Sequence, residues 1–189
     1  MIGWDEKYPC YDCGNGKVRG VGVAMAMQGS GISGVDTGAV EIKVNDDGFY
    51  SLMIGATDMG TGCDTILTQM AAECLECEME EIVVHGVDTD NSPYDCGSYA
   101  SSTTYVTGMA VVKTCETLRK KICERGAEYL GCSADDVEFD GEKVVNLKTK
   151  EEITRKEIGN RVMCSSNAPL SATEAFSSPV SPPPFMVGI

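Results

Sequence analysis

The chain has 189 residues, 42% of them hydrophobic, and a formal charge of -14. So acidic a balance offers no basic face to DNA, RNA or an anionic membrane surface, while the length is enough for one or two modest domains with a true core. No apolar run approaches the ~20 residues needed to cross a bilayer, and Met1-Ile-Gly-Trp-Asp-Glu-Lys7 lacks the apolar stretch of a secretory signal.

Residues 1–17 are polar and rich in Gly, Pro and Cys, and are expected to be irregular. Residues 18–27 alternate small and apolar side chains, which predicts a strand buried on at least one face. Residues 28–38 form a Gly/Ser loop. Residues 39–44 then place Val40, Ile42 and Val44 on one face, Asn45-Asp-Asp-Gly48 reads as a hairpin turn, and residues 49–54 return. The first third is thus predicted to be an antiparallel meander. A helix over 63–75 follows, with Leu67, Met70, Ala71 and Cys74 on one stripe. Residues 80–86 predict a short strand. A long helix is expected over about 101–129, its face lined by Val111, Cys115, Leu118 and Ile122 and its stop at Gly131. Residues 136–147 predict a hairpin around Asp140-Gly141, and 153–162 a helix opened by a Thr154-x-x-Glu157 capping box. From Ser165 the chain is Ser/Pro-rich, ends through Pro182-Pro-Pro184, and is expected to cross to another domain or subunit rather than form an element of its own. The expected organisation is an irregular segment 1–17, an α+β lobe over 18–164 with a small mixed or antiparallel sheet on two main helices, and a tail over 165–189.

The ten cysteines sit partly on helix-like segments (Cys74, Cys115, Cys123), as small buried hydrophobes of a reducing cytoplasm do. Cys10-x-x-Cys13 and Cys74-x-x-Cys77 would together make a four-thiolate zinc site if all four sulfurs converged; a buried structural role for the second pair is the competing reading. Basic residues cluster beyond Val112, at Arg119-Lys-Lys121 and Arg155-Lys156, but among acids, as on a solvated helix face. Gln28-Gly-Ser-Gly-Ile-Ser-Gly34 holds a formal G-x-G-x-x-G, yet a strand rather than a helix follows, which argues against a dinucleotide fold. His85, the one histidine, lies in a short strand, so triads and histidine metal sites have little support. Asp64, Asp88, Asp90 and Asp95 either pair for acid–base or cation work or close turns and caps.

Two loops stand out. Gly55-Ala-Thr-Asp-Met-Gly-Thr-Gly-Cys-Asp-Thr65 and Asp88-Thr-Asp-Asn-Ser-Pro-Tyr-Asp-Cys-Gly-Ser-Tyr-Ala-Ser-Ser-Thr-Thr104 each run into a predicted helix start, where unpaired N–H groups suit an anion. No Lys or Arg occurs between Val44 and Val112. An anion held here is therefore held by backbone amides and hydroxyls, which points to a large, multiply hydrogen-bonded ligand.

These two runs, with Gln69 on the first helix and Tyr105-Val-x-Gly-Met-Ala110 closing the second, resemble the molybdopterin-binding large subunit of the xanthine dehydrogenase/aldehyde oxidase family, in its clostridial nicotinate and purine hydroxylase branch. Arg19-Gly-Val-Gly-Val-Ala24 and Gln28-Gly-Ser-Gly-Ile32 are similar to the segment preceding these motifs in the family. The resemblance implies a molybdopterin cytosine dinucleotide cofactor with molybdenum. It places Gly60, Thr61 and Gly62 against the pterin or the metal's ligands, Ala100, Ser101, Ser102, Thr103 and Thr104 on the phosphates and dithiolene, and Gln28 and Gly29 in the same cleft. It also implies oxidation of an aromatic heterocycle or aldehyde with water-derived oxygen, and iron–sulfur and FAD partner subunits. The chain departs from the family in carrying Thr61 where many relatives have Gln in Gly-Gln-Gly, and in lacking the Gly-x-Gly-Glu motif of the general base, the Phe-Gly-Gly loop and the substrate-facing arginine. The expectation is therefore one lobe of the large subunit, completed by another molybdopterin polypeptide and inclined to self-associate in isolation. A cofactor-free α+β domain that keeps the motifs as turns is the rival reading, and a small zinc module the third.

Overall fold

The computed structural model describes residues 3–26, 31–165, 168–180 and 187–188. The main sheet grows from the alternation in β4 (Thr37–Val44): Val40, Ile42 and Val44 are buried, while Lys43 between them is exposed. The Asn45–Gly48 turn closes through Gly48 N–H to the Asn45 carbonyl and returns the chain as β5 (Tyr50–Ile54), antiparallel to β4. Next comes a crossover unit: α2 (Cys63–Leu75) carries the chain over the sheet, and β6 (Ile82–His85) pairs with β5 in parallel. The first helical element is only the turn α1 (Trp4–Lys7).

Three expectations fail toward the ends of the chain. Residues 1–17 are not irregular: β1 (Cys10–Gly14) and β2 (Lys17–Gly20) form an antiparallel hairpin about Asn15-Gly16, both at positive φ, as an Asn-Gly turn favours. Nor does the expected buried strand over 18–27 form among the described residues, since β2 is exposed throughout, residues 21–24 are not in a strand, and β3 (Met25–Ala26) pairs with β11 (Val187–Gly188); Met27 lies outside the described residues. The tail supplies a packed element after all. Ser171–Ser177 is β10, antiparallel to β4 along its length, so the sheet order is β10-β4-β5-β6 and the third strand of the predicted meander comes from the far end of the chain. Ser, Thr, Ala and Phe alternating from 171 to 177 satisfy a half-buried edge strand despite the surrounding prolines.

The long helix α3 (Thr103–Leu130) lies across β4 and β10 and packs along α2, stopping at Gly131 in the left-handed conformation. A second sheet, β7 (Val137–Phe139), β8 (Lys143–Asn146) and β9 (Glu152–Thr154), covers the later turns of α3. There Gly126 lets Val144 approach, because a Cβ at 126 would sit 2.7 Å from a Val144 methyl. The capping box on α4 (Arg155–Met163) forms as expected, with Thr154 accepting from Glu157 N–H and Glu157 accepting from Thr154 N–H. Arg155 ties the two sheets together: it is 6% exposed, pairs with Glu81, donates to the Gly141 carbonyl and lies over the Tyr50 ring.

Helix direction is what positions the site. Along α3, a Cβ at Gly108 would meet Met70 and Leu67, and Arg119 further on reaches the Cys74 carbonyl and Glu76. Both numberings rise together, so α2 and α3 run parallel with their N-termini at the same end. Leu67, Leu75, Val111, Leu118 and Ile122 seal the helix layer, each with no exposure. At roughly 1.5–3 kcal/mol for each such side chain, that burial rather than helix propensity holds the two starts side by side. The open face of the sheet carries Glu41, Lys43, Met53, Val83 and His85, and His85 is exposed on the edge strand. No helix among the described residues is long and apolar enough to cross a membrane.

Candidate cofactor cradle at two helix starts

The first loop leaves the end of β5 and is folded around a carboxylate. Asp58 Oδ1 accepts from Gly60 N–H at 2.9 Å and Gly62 N–H at 3.1 Å, and these bonds hold the Asp58 carboxyl below its ordinary pKa. Gly62, at φ 71, is the residue before α2, and no side chain of its own caps the helix. Cys63 begins the helix as a buried thiol pushed up in pKa by that burial.

The second loop is stitched to the sheet before it reaches α3. Ala39 N–H donates to the Tyr94 carbonyl and Cys96 N–H to that of Thr37, so residues 94–96 pair beside the start of β4. Asp95 accepts from Gly97 N–H (2.9 Å) and from the Thr107 hydroxyl (2.8 Å). Asp88 closes its own turn through Asp90 N–H and Asn91 Nδ2. Of the four aspartates singled out in sequence, Asp88 and Asp95 do turn chemistry, and Asp64 lies at the start of α2 near the Cys63 thiol. Behind the loop, Asp36 is fully buried and accepts from Ile32 N–H at 2.8 Å. The Cys96 thiol and the Tyr99 phenol face it, and the Tyr99 pKa is pushed up, chiefly by its bond to Cys96.

The loops touch. Ser98 Oγ donates to the Thr57 carbonyl, and Gly55 has no room for a side chain because a Cβ there would collide with the Pro93 carbonyl. The chain then passes through Ala100 (φ 49) and Ser101 (φ 52), two consecutive non-glycine residues on the left-handed side, before Ser102 at φ -98 opens α3. Ser102 spends its N–H and its hydroxyl on the Tyr99 carbonyl, and no side chain caps α3. Val106 N–H is the first to bond back into the helix, to the Ser102 carbonyl.

Thr61 from the first loop and Ser101, Ser102, Thr103 and Thr104 from the second line one open cavity of about 390 Å³, together with Ser98 and Tyr99. Gly60, Gly62 and Ala100 flank these residues along the chain without lining the cavity. Gln28 and Gly29 lie outside the described residues. The parallel helices point both positive dipole ends toward this region, which favours an anion. A larger concavity of about 810 Å³ lies elsewhere, where Glu73, Glu76, Glu78, Glu81, Asp140 and Glu142 outnumber Arg155, itself paired with Glu81, so its net charge repels one.

The zinc reading does not survive the geometry. Among the described residues only Asp58, Cys63 and Asp64 bring three ligand atoms within 4.8 Å of one another, so Cys10, Cys13, Cys74 and Cys77 do not converge. Cys10 and Cys13 lie exposed on the N-terminal hairpin, whereas Cys74 and Cys77 pack on the core. Sequence reasoning passed over Asp58 and Asp36. For Asp58 the Asp-x-Gly-x-Gly spacing is a usable turn signal; for Asp36 nothing local announces its burial.

Comparison with known proteins follows the same lines. A family model described as the molybdopterin cofactor-binding domain matches residues 1–188. The chain is 40% identical over 152 residues to a probable hypoxanthine oxidase of Escherichia coli K12, covering 80% of this chain and 16% of that one. It is 33% identical over 137 residues to a putative xanthine dehydrogenase molybdenum-binding subunit of the same organism, covering 71% and 18%. Among solved structures it resembles CO dehydrogenase of Oligotropha carboxidovorans (TM-score 0.72, 21% identity, 88% of this chain and 22% of that one). It also resembles quinoline 2-oxidoreductase of Pseudomonas putida 86 (TM-score 0.69, 17% identity, 88% and 23%). The chain thus spans under a fifth of the length of these curated relatives and under a quarter of the structures.

Proposed function

The chain belongs to the molybdopterin cofactor-binding domain family of the xanthine dehydrogenase-type molybdenum hydroxylases, and from that premise we propose that the cavity between the two helix starts holds the anionic part of the cofactor, in its cytosine dinucleotide form. The observation carrying this reading is that Thr61 and Ser101–Thr104, 40 or more positions apart in sequence, line one cavity. The donor set fits the group. The site is made of hydroxyls and a helix start without a side-chain cap, with no lysine or arginine between residues 44 and 112, so charge is met by dipoles rather than by a counter-ion. In this reading Thr103 and Thr104 donate hydroxyls and first-turn amides to phosphate oxygens, Ser101 and Ala100 hold the turn that aims them, and Thr61 bounds the opposite wall beside the pterin.

When bound, the cofactor supplies a two-electron centre for hydroxylating an aromatic heterocycle or aldehyde with oxygen from water. The chain's own residues bind and orient it; the proton-accepting glutamate comes from elsewhere in the assembly. We take the partners to be a further molybdopterin polypeptide region and iron–sulfur and FAD subunits. Asp58 favours a second reading, in which the loop at 58–62 is a self-satisfied turn of a cofactor-free domain, since its carboxylate already occupies the Gly60 and Gly62 amides.

The test is to produce the chain together with the complementary subunits in a host that makes the cofactor, then measure molybdenum and released pterin per chain. Thr104 is exposed at the mouth, so Thr104→Trp should fill the cavity without disturbing the core. The proposal expects loading in the native chain and at least a tenfold loss in the variant at an unchanged unfolding temperature. Equal loading in both, or none in either within an intact assembly, supports the turn-only reading.

A further inference from the structure

The start of α2 gathers donors that the proposed cradle does not use. Asp58, Cys63 and Asp64 each bring a ligand atom within 4.8 Å of the others, the only such trio of His, Cys, Asp and Glu among the described residues. They come from two segments: Asp58 stands exposed in the loop, while Cys63 and Asp64 open the helix. The Gly60 and Gly62 amides fix the Asp58 carboxylate through Oδ1, and a carboxylate has a second oxygen to give. Cys63 is only 2% exposed, and its sulfur lies 3.7 Å from Asp64 Oδ1 and 3.9 Å from the Ala56 carbonyl. A thiol has one proton for those two acceptors, so one oxygen faces the buried sulfur with no hydrogen between them. The charge is equally unanswered. The ion pairs of the described residues go to Glu76, Glu81, Glu128, Asp136 and Glu152, not to Asp58 or Asp64.

We propose that Asp58, Cys63 and Asp64 bind one zinc ion. This is not the four-cysteine site that the sequence suggests, and it uses none of those four sulfurs. A thiolate beside two carboxylates suits a borderline divalent transition ion, whereas Ca²⁺ and Mg²⁺ take oxygen ligands alone. With zinc–sulfur at ~2.3 Å and zinc–oxygen at ~2.0 Å, a tetrahedral angle sets the two ligand atoms about 3.5 Å apart. The 3.7 Å between Cys63 Sγ and Asp64 Oδ1 is already close to that spacing. On binding, the Cys63 S–H bond breaks, its proton passes to solvent and the sulfur takes the metal instead; no electron changes hands. Three protein ligands leave the fourth position to water.

Zinc here ties the loop leaving β5 to the first turn of α2. It also sets a positive charge beside Thr61, on the wall of the cavity that faces Ser101–Thr104. The site stands on its own donors, whether or not the cofactor binds in the cavity.

The experiment strips the purified native chain of metal with a chelator and titrates it with Co²⁺, then Zn²⁺. The expected result is a thiolate-to-cobalt charge-transfer band with the intense visible bands of tetrahedral cobalt. They saturate at one Co²⁺ per chain, are displaced by Zn²⁺, and zinc raises the unfolding temperature. Cys63→Ser should abolish the charge-transfer band. Asp64→Asn, changed at a half-buried position, should weaken Co²⁺ binding at least tenfold while the metal-free chain unfolds at its native temperature. A variant carrying both Cys10→Ser and Cys13→Ser on the N-terminal hairpin should keep the band. No band in the folded native chain would overturn the proposal. So would a band that survives Cys63→Ser, one that disappears with the hairpin cysteines, or Co²⁺ bound as tightly by Asp64→Asn as by the native chain.

Discussion

The two helix starts lie at the same end of the molecule and neither carries a side-chain cap, but the turns that lead into them are finished in opposite ways. At α2 the chain supplies its own anion, the Asp58 carboxylate on the Gly60 and Gly62 amides. At α3 the described residues supply none: Ser102, the residue in the capping position, turns its hydroxyl back to the Tyr99 carbonyl, and the approach runs through two residues at positive φ. A start that exists only to begin a helix is normally capped. One left open beside hydroxyls, and reached through strained backbone, is a feature a ligand would explain. The difference separates a structural turn from a candidate binding surface more sharply than the loops' similar composition does.

The contrast depends on the two loops staying in contact, and Gly55 is where that contact is tightest. Gly55→Val drives a side chain into the Pro93 carbonyl and Asp95. It should cost about 3 kcal/mol, at the upper end for overpacking, and separate the walls; denaturant unfolding measures the loss. A smaller effect is expected from Thr107→Val, which removes the hydroxyl donating to Asp95 at 2.8 Å. That should cost about 1–2 kcal/mol and loosen the second loop alone, visible as faster amide exchange around residues 95–99. Ala100→Gly works in the other direction. Relief of the left-handed conformation outweighs the added chain freedom and should raise stability by up to about 1 kcal/mol in thermal unfolding. The smallest effect concerns pH. The folded-state pKa of Asp58 is depressed, so the turn it closes is held above the ordinary aspartate pKa and loses that support as pH falls through the lower, folded value. Amide resonances of Gly60 and Gly62 should therefore move in that acid window while those of Thr103 and Thr104 do not follow them.

Much of this was legible before any coordinates. The stripe of Leu67, Met70, Ala71 and Cys74 marks α2 over the span it occupies, and Gly131 and the Thr154–Glu157 box mark the ends of helices because their chemistry is local. What escaped is non-local. Ser171–Ser177 becomes a strand because β4 offers an unpaired edge more than a hundred residues away, a fact its Ser/Pro-rich neighbourhood hides. The N-terminal hairpin is a different miss, for Asn15-Gly16 is a plain turn signal masked by the polar residues around it. At the site, the hydroxyl run 101–104 and Thr61 were readable. Two further facts depend on folded geometry and were not: the first-loop amides are already occupied, and α2 and α3 run parallel.

The central claim, that the start of α3 rather than the Asp58-filled turn before α2 receives an anion, is tested most directly by titrating the native chain with cytidine diphosphate while following backbone amide resonances. The account predicts saturable shifts at Thr103, Thr104 and Tyr105 in the native protein, with Gly60 and Gly62 joining only when Asp58→Asn weakens their cap. Shifts confined to Gly60 and Gly62, or centred on the lysines near residues 113–121, would contradict it.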